Sequence, residues 1–138
     1  MVKTVRYQGG YKYQLVQTYR DQIPIFPAVD IEIWFISLST GGDLEIRFGY
    51  AWDGPSGPTI DTPSFMRGSL VHDALCQLMR MGLLDRQIWT DPAARLLQTM
   101  CVQDGMWKVR AWWVYQGLAV AGAGATLAEN RKVVLVAP

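Results

Sequence analysis

The chain has 138 residues, with 13 basic and 12 acidic side chains, and half of its residues are hydrophobic. This length predicts one domain over residues 1–138, large enough to fold around a hydrophobic core without metal or disulfide support. The basic residues are scattered, which excludes the charged surface of a nucleic-acid-binding protein. The first residues, MVKTVRY, lead into no apolar segment, so we expect synthesis in the cytoplasm without a secretory signal peptide.

The first strands follow from alternation and from apolar runs. Apolar and polar residues alternate over residues 11–15, which indicates a half-buried strand, and the alternation can be followed to Tyr19. Residues 21–28 form a proline-interrupted connection, and the apolar run over residues 30–38 predicts a central strand. Residues 39–43, STGGD, predict a hairpin turn.

The strand predicted over residues 43–52 has the clearest pattern in the chain. The residues of its apolar face are Leu44, Ile46, Phe48, Tyr50 and Trp52. Polar or small residues occupy the alternate positions, as the period of two in a strand requires. The strand leads directly into a loop rich in proline and glycine, residues 53–64.

The second half of the chain predicts helices. The first spans roughly residues 65–81, and two N-caps are compatible with its start: Thr62 before Pro63, or Ser69 after Gly68. The second helix is predicted to begin at Asp91-Pro92, with Asp91 as the N-cap, and to end at Asp104-Gly105.

A third helix is predicted from about Met106 to Ala121, and residues 132–137, KVVLVA, predict a last short strand. The fold class is therefore α+β: an N-terminal antiparallel β-meander, about three helices and a short C-terminal strand. Residues 111–128 carry no charge and approach the length of a membrane span, although their composition also fits a helix packed inside a small domain.

Four tryptophans are candidate binding residues. Trp107, Trp112 and Trp113 cluster around the start of the third helix, where they suit a protein partner or a membrane interface. Trp52 ends the strand that precedes the proline-rich loop.

The candidate catalytic residues are His72, Asp73, Asp53 and Asp61. On a helix the His72 and Asp73 side chains diverge by about 100°. A neutral His72 can act as a general base if Asp53 or Asp61 holds its second ring nitrogen. The alternative is a core histidine that ties the loop to the helix, with both aspartates serving the backbone of their own turns.

Metal binding and nucleophilic catalysis receive little support from the sequence. Asp53, Asp61 and Asp73 are the candidate ligands if calcium or magnesium is bound, but the D-x-D-x-D-G spacing of a calcium loop is absent. Cys76 and Cys101 lie in apolar segments that favour buried thiols, and with one histidine they are too few for a zinc site. A G-x-S-x-G serine elbow is absent as well. We expect no cofactor.

An ordered series of motifs resembles a known family. The motifs are Y-x-W-D-G-P-S-G-P-T-x-D-T, then S-L-x-H-D-x-L-x-Q, then a helix ending in D-G, and then R-A-W-x-x-Y. Over residues 48–122 the chain resembles domain-of-unknown-function family 1353, small proteins of tailed bacteriophages and prophages. The resemblance implies a phage context but no established activity. Cys76 stands where the family has a tyrosine, and Ala93-Ala94 stands where it has an Ala-Asp pair.

The H-D-x-x-Y pattern also looks like secreted phospholipases A2, in which a helical histidine activates water beside a calcium ion. This likeness implies His72 as the base, Asp73 as a calcium ligand and residues 53–57 as a source of carbonyl ligands. The chain lacks the disulfides, the tyrosine and the second-helix acid of those enzymes.

Two functions remain in view. We expect a non-enzymatic virion component of the tail or neck, made in the host cytoplasm, with other phage or host proteins as partners. The alternative is a small hydrolase directed at lipid or the cell envelope, with His72 as its base and calcium as its only conceivable cofactor. Whether the chain is an enzyme stays open at this level.

Overall fold

The computed structural model describes residues 7–8, 13–52 and 63–125, with side chains over 13–52 and 63–118. In these ranges an antiparallel β region precedes three helices, which confirms the predicted α+β class. The strands are β1 (Tyr7–Gln8), β2 (Tyr13–Leu15), β3 (Tyr19–Gln22), β4 (Ile31–Glu32), β5 (Ile36–Leu38), β6 (Asp43–Ile46) and β7 (Ala51–Trp52). The helices are α1 (Pro63–Arg80), α2 (Arg86–Gln103) and α3 (Lys108–Ala125). The predicted strand over residues 132–137 lies outside the described residues.

The strands form two antiparallel sheets, ordered β1-β2-β7 and β3-β6-β5-β4. The inner face of the larger sheet is apolar and packs into the core. Its buried residues are Tyr19, Ile31, Ile36, Leu38, Leu44 and Ile46. The outer face carries a row of polar side chains directly opposite one another, Arg20, Glu45, Ser37 and Glu32. The core thus lies between this sheet and the helices α1 and α2.

The strand predicted over residues 43–52 is divided between the two sheets. β6 ends at Ile46, Gly49 has a φ of 96°, and β7 begins at Ala51 in the smaller sheet. Four of the five predicted core positions are buried, but Phe48 is exposed at the turn. Glycine adopts a positive φ at little cost, so Gly49 allows the chain to change sheets and interrupts the alternation.

The central strand predicted over residues 30–38 is wrong, because this segment forms a tight hairpin. β4 pairs with β5, and the backbone N–H of Ile33 donates to the carbonyl of Ile36 at 2.9 Å. Trp34 lies at the tip and is 77% exposed. The hairpin turn predicted over residues 39–43 is confirmed, with Gly42 at a φ of 88°.

The start of α1 agrees with the first of the two predicted options. The helix begins at Pro63, a residue whose fixed φ suits the first helical position. Ser69, the other predicted N-cap, lies inside the helix. Its hydroxyl accepts a hydrogen bond from Trp52 Nε1 at 3.1 Å and donates to the Met66 carbonyl at 2.9 Å. Thr62 lies outside the described residues.

The predicted start of α2 at Asp91-Pro92 is wrong. The N-cap is Asp85, whose Oδ1 accepts hydrogen bonds from the backbone N–H groups of Gln87 and Ile88 at 2.9 and 3.3 Å. Asp85 therefore satisfies the free donors of the first turn, and the helix already runs when it reaches Pro92. The predicted end is confirmed, with Asp104 as the C-cap and Gly105 at a φ of 102°.

The helices α1 and α2 approach each other closely at Gly68. A Cβ atom there would lie 2.4 Å from Leu97 Cδ1 and 3.3 Å from Cys101 Sγ. At Gly117, on α3, a Cβ atom would meet nothing within 4 Å. The absence of a side chain at Gly68 therefore sets the distance between the two helices.

We expect Gly68→Ala to be less stable than Gly117→Ala by about 1–3 kcal/mol in free energy of unfolding. Both substitutions gain the helix propensity of alanine, so their difference isolates the cost of overpacking at Gly68. Urea denaturation of the two variants measures it. Equal stability of the two variants would contradict the close approach.

Candidate functional site

His72 lies on the buried side of α1 and is 8% exposed. Within the described ranges its only polar neighbour at hydrogen-bonding distance is Cys76, whose Sγ lies 3.7 Å from both Nδ1 and Nε2. Cys76 is one helical turn further along α1 and is buried as well. Asp53 and Asp61, the carboxylates that one sequence interpretation put at this ring, lie outside the described residues, and the described contact is a thiol.

Burial governs the charge state of His72. It lowers the pKa of the imidazole to about 4, and the positive charge of Arg80 acts in the same direction. The ring is therefore neutral at pH 7. A general base works best with a pKa near the working pH and needs access to the proton it abstracts. The placement of His72 is instead that of a core histidine.

The carboxylates predicted to assist His72 fall in different places. Asp73 lies on α1, half-buried, beside a histidine that is buried. Asp53 and Asp61 lie outside the described residues, so their predicted pairing with His72 stays a prediction. Within the described ranges, no group of three or more His, Cys, Asp or Glu side chains is arranged to hold a metal ion.

Trp52 differs from the other predicted binding residues because it belongs to the core. Its side chain is buried, its ring centroid lies 5.7 Å from that of Tyr13, and its Nε1 donates to Ser69 Oγ. It therefore joins β7 to α1 and offers almost no surface to a partner.

Trp107, immediately before α3, and Trp112 and Trp113, in its first turns, are exposed. Trp107 is 84% and Trp113 65% exposed, and the ring centroids of Trp112 and Trp113 lie 5.0 Å apart. Val109 is also exposed and lies on the same side of the helix as Trp112 and Trp113, because residues three and four positions apart are neighbours on a helix surface. We call these four residues the indole face.

The opposite side of α3 is covered. Ala111 and Val114 pack into a second hydrophobic cluster together with Phe65 of α1 and with Leu97 and Cys101 of α2. The sequence of α3 is apolar around most of its circumference, and a helix of this kind is normally buried on all sides. Only one of its two sides has an intramolecular partner among the described residues.

Asp91 helps to fix α3 in this orientation. Its carboxylate accepts hydrogen bonds from the hydroxyl of Tyr115 and from Nε of Arg95. The Arg95 guanidinium also lies 5.0 Å from the centroid of the Tyr115 ring. The hydrogen bonds from Tyr115 and Arg95 lower the pKa of Asp91. The residue predicted as an N-cap therefore connects α2 to α3.

A second exposed aromatic pair was missed by the sequence analysis, which placed both residues in buried strands. Trp34 at the β4–β5 turn and Phe48 at the β6–β7 turn are exposed. Arg47 holds the two turns together, since its Nη1 donates to the Trp34 carbonyl at 3.1 Å. The backbone N–H of Phe48 donates to Thr18 Oγ1 at 3.1 Å. Gly49 was the one available signal for a turn here.

Arg67 is buried and saturated with acceptors. Its guanidinium donates to Asp104 Oδ2 at 2.9 Å, Asp21 Oδ2 at 3.2 Å, the Tyr19 hydroxyl at 3.2 Å and Gln103 Oε1 at 2.8 Å. Burial would lower the pKa of Arg67, but the hydrogen bonds with Asp104 and Tyr19 outweigh it and raise the pKa. The net effect keeps the guanidinium charged. This cluster ties β3, α1 and the end of α2 together.

Over the described residues, none of the helices combines the length and apolarity that crossing a membrane requires. No family model, curated protein or solved structure matches the chain. The resemblance noted in the sequence therefore stays a prediction.

Proposed function

We propose that the chain is a non-enzymatic binding component of a larger assembly and that it docks through the indole face. The sequence resemblance suggests a tailed-phage virion as that assembly, with tail or neck proteins or host proteins as partners. The observation that carries the proposal is the exposure of Val109, Trp112 and Trp113 on one side of α3, with Trp107 exposed just before the helix, while the other side of α3 is packed.

The energetics support a contact surface. The largest exposed apolar patch on a typical monomer covers about 300–600 Å² and is often functional, and larger patches mark interaction sites. Tryptophan is enriched among the few residues that carry most of the binding energy at interfaces. The indole N–H groups of Trp107, Trp112 and Trp113 donate to no acceptor among the described residues, and a partner can supply these acceptors.

The surroundings of His72 support the same proposal. Its ring is neutral, buried and next to a thiol. A hydrolase would need the ring to reach both a water molecule and a carboxylate. The described residues around His72 offer neither an open approach nor a carboxylate partner, so the hydrolase alternative has no observation in its favour.

The test introduces W112S/W113S into the gene in its own genome and measures incorporation into particles and infectious yield. His72→Gln is compared in the same way. Val29→Ser, at an unrelated exposed apolar residue, is the control. We expect W112S/W113S to fold normally, because surface substitutions change stability by about 0.5 kcal/mol or less. We also expect it to be absent from purified particles and to reduce infectious yield at least about tenfold, the effect of losing about 1.4 kcal/mol of binding energy. His72→Gln and Val29→Ser retain the yield.

Two results would overturn the proposal. One is full incorporation and yield of W112S/W113S. The other is a folded His72→Gln protein that enters particles normally but abolishes yield, since this would place the function at the histidine.

A further inference from the structure

The indole face carries positive charge. Lys108 and Arg110 flank its tryptophans, and the segment 106–125 contains no acidic residue. Lys108 is exposed and forms no ion pair with any described residue. The N-terminus of α3 adds its own positive potential. Two copies that met indole face to indole face would therefore bring like charges together.

The outer face of the larger sheet carries the opposite charge. An open cleft of about 590 Å³ lies there. Its charged lining consists of five carboxylates and one guanidinium: Asp21, Asp30, Glu32, Asp43, Glu45 and Arg20. Asp30 and Asp43 form no ion pair with a described residue. They accept hydrogen bonds from the Thr40 N–H at 2.8 Å and from the Ser39 hydroxyl at 3.4 Å. Asp21 pairs with the buried Arg67, and Arg20 and Arg47 pair with Glu45 and Glu32. The negative charge of this surface is therefore partly neutralised, and Asp30 and Asp43 carry the remainder.

Exposed aromatic residues border this negative surface. Arg47 donates to Glu32 Oε1 at 3.1 Å and to the Trp34 carbonyl at 3.1 Å, so Trp34 and Glu32 are neighbours, and Phe48 follows Arg47 in the chain. We call Glu32, Asp43, Trp34 and Phe48 the acidic sheet face. It combines apolar area with negative charge, whereas the indole face combines apolar area with positive charge.

One molecule cannot bring its own two faces together. The inner face of the larger sheet packs on α1 and α2, and α3 packs on α2 through a separate cluster. The acidic sheet face points away from the core on the sheet side, while the indole face points away from it on the side of α3. Their complementarity can be realised only between molecules.

We propose that the indole face of one copy docks on the acidic sheet face of a second copy, head to tail. This inference rests on the proposed function and names a second copy of this chain as the partner. A contact between two different surfaces leaves one of each free at the ends, so the copies form an open chain or a closed ring. Charge complementarity of this kind fixes register and disfavours the indole-to-indole arrangement.

The experiment measures molar mass by light scattering during gel filtration at about 100 μM protein. This concentration exceeds the micromolar dissociation constant of a weak protein–protein interface. The wild-type chain is expected to exceed the monomer mass, and less so at high salt, which screens exposed charges. W112S/W113S and E32K/D43K are each expected to be monomeric. Their equimolar mixture should form a dimer and nothing larger, because one variant retains only the sheet face and the other only the indole face.

Each other outcome overturns the head-to-tail contact. These outcomes are a monomeric wild type, a mixture that stays monomeric, and association of E32K/D43K alone, which would indicate an indole-to-indole dimer. A monomeric wild type that binds phosphatidylglycerol vesicles through Trp112 and Trp113 would instead assign the face to lipid. If the wild type is monomeric while W112S/W113S is still lost from particles, the head-to-tail contact fails and the proposed function stands.

Discussion

Arg67→Met is expected to lower the free energy of unfolding by about 3–5 kcal/mol, the cost of removing one partner from a buried ion cluster. The substitution keeps most of the side-chain volume but removes the guanidinium that the carboxylates of Asp21 and Asp104 contact. Both carboxylates are nearly buried, and Asp104 Oδ1 already has no hydrogen-bond partner among the described residues. Neither group can recover its hydration without opening the structure.

Arg20→Met is the matched control. Arg20 pairs with Glu45 at 2.8 Å on the outer face of the same sheet, but its side chain is 70% exposed. Solvent screens such a pair, so its loss costs at most about 1 kcal/mol. Urea denaturation followed by circular dichroism compares the two variants. Equal losses for Arg67→Met and Arg20→Met would refute a buried cluster that holds the layers together.

Acid is expected to destabilise the protein through His72. The folded pKa of about 4 lies below the ordinary histidine pKa of about 6.5, so the unfolded chain binds the proton more tightly. The stability that comes from keeping His72 neutral in the core is therefore fully present above about pH 6.5 and is lost as the pH drops toward 4. At 1.36 kcal/mol per pKa unit, the loss totals about 3 kcal/mol in free energy of unfolding. The loss is the free energy of placing an imidazolium in the core.

The comparison with His72→Gln isolates this effect, because carboxylates titrate in the same range in both proteins. The free energy of unfolding of the wild type minus that of His72→Gln should be constant above pH 6.5 and should decrease as the pH falls from 6.5 to 4. Since His72 is the only histidine, an NMR titration of its ring gives the folded pKa directly. A ring pKa of about 6.5–7 would contradict burial and would revive the general-base interpretation.

The sequence predicted that the sheet strands precede the helices, because the spacing of apolar residues along the chain distinguishes strands from helices. The change from alternation to helical spacing places sheet before helices, and the Gly105 stop of α2 is also local. The start of α2 was misplaced because Asp91-Pro92 has the composition of a helix start. The competing cap at Asp85 is recognised only from its hydrogen bonds to the first turn.

The candidate site was predictable only in part. The tryptophans of α3 stand out in the sequence, but which of them are exposed depends on how α3 packs on α2, and Trp52 proved to be buried. Arg67 collects acceptors from residues far apart in the chain, for which the sequence has no local signal. The burial of His72 likewise results from the packing of α1 between sheet and helix.

Hydroxyl-radical footprinting of the tryptophans, in the isolated chain and in purified particles, tests the central claim most directly. In the isolated chain, kept dilute enough to be monomeric, Trp107, Trp112 and Trp113 should oxidise readily, and Trp52 should be protected because it is buried. In particles the same three indoles should become protected, while Trp52 should not change. Equal oxidation of the three indoles in both states would contradict docking through the indole face.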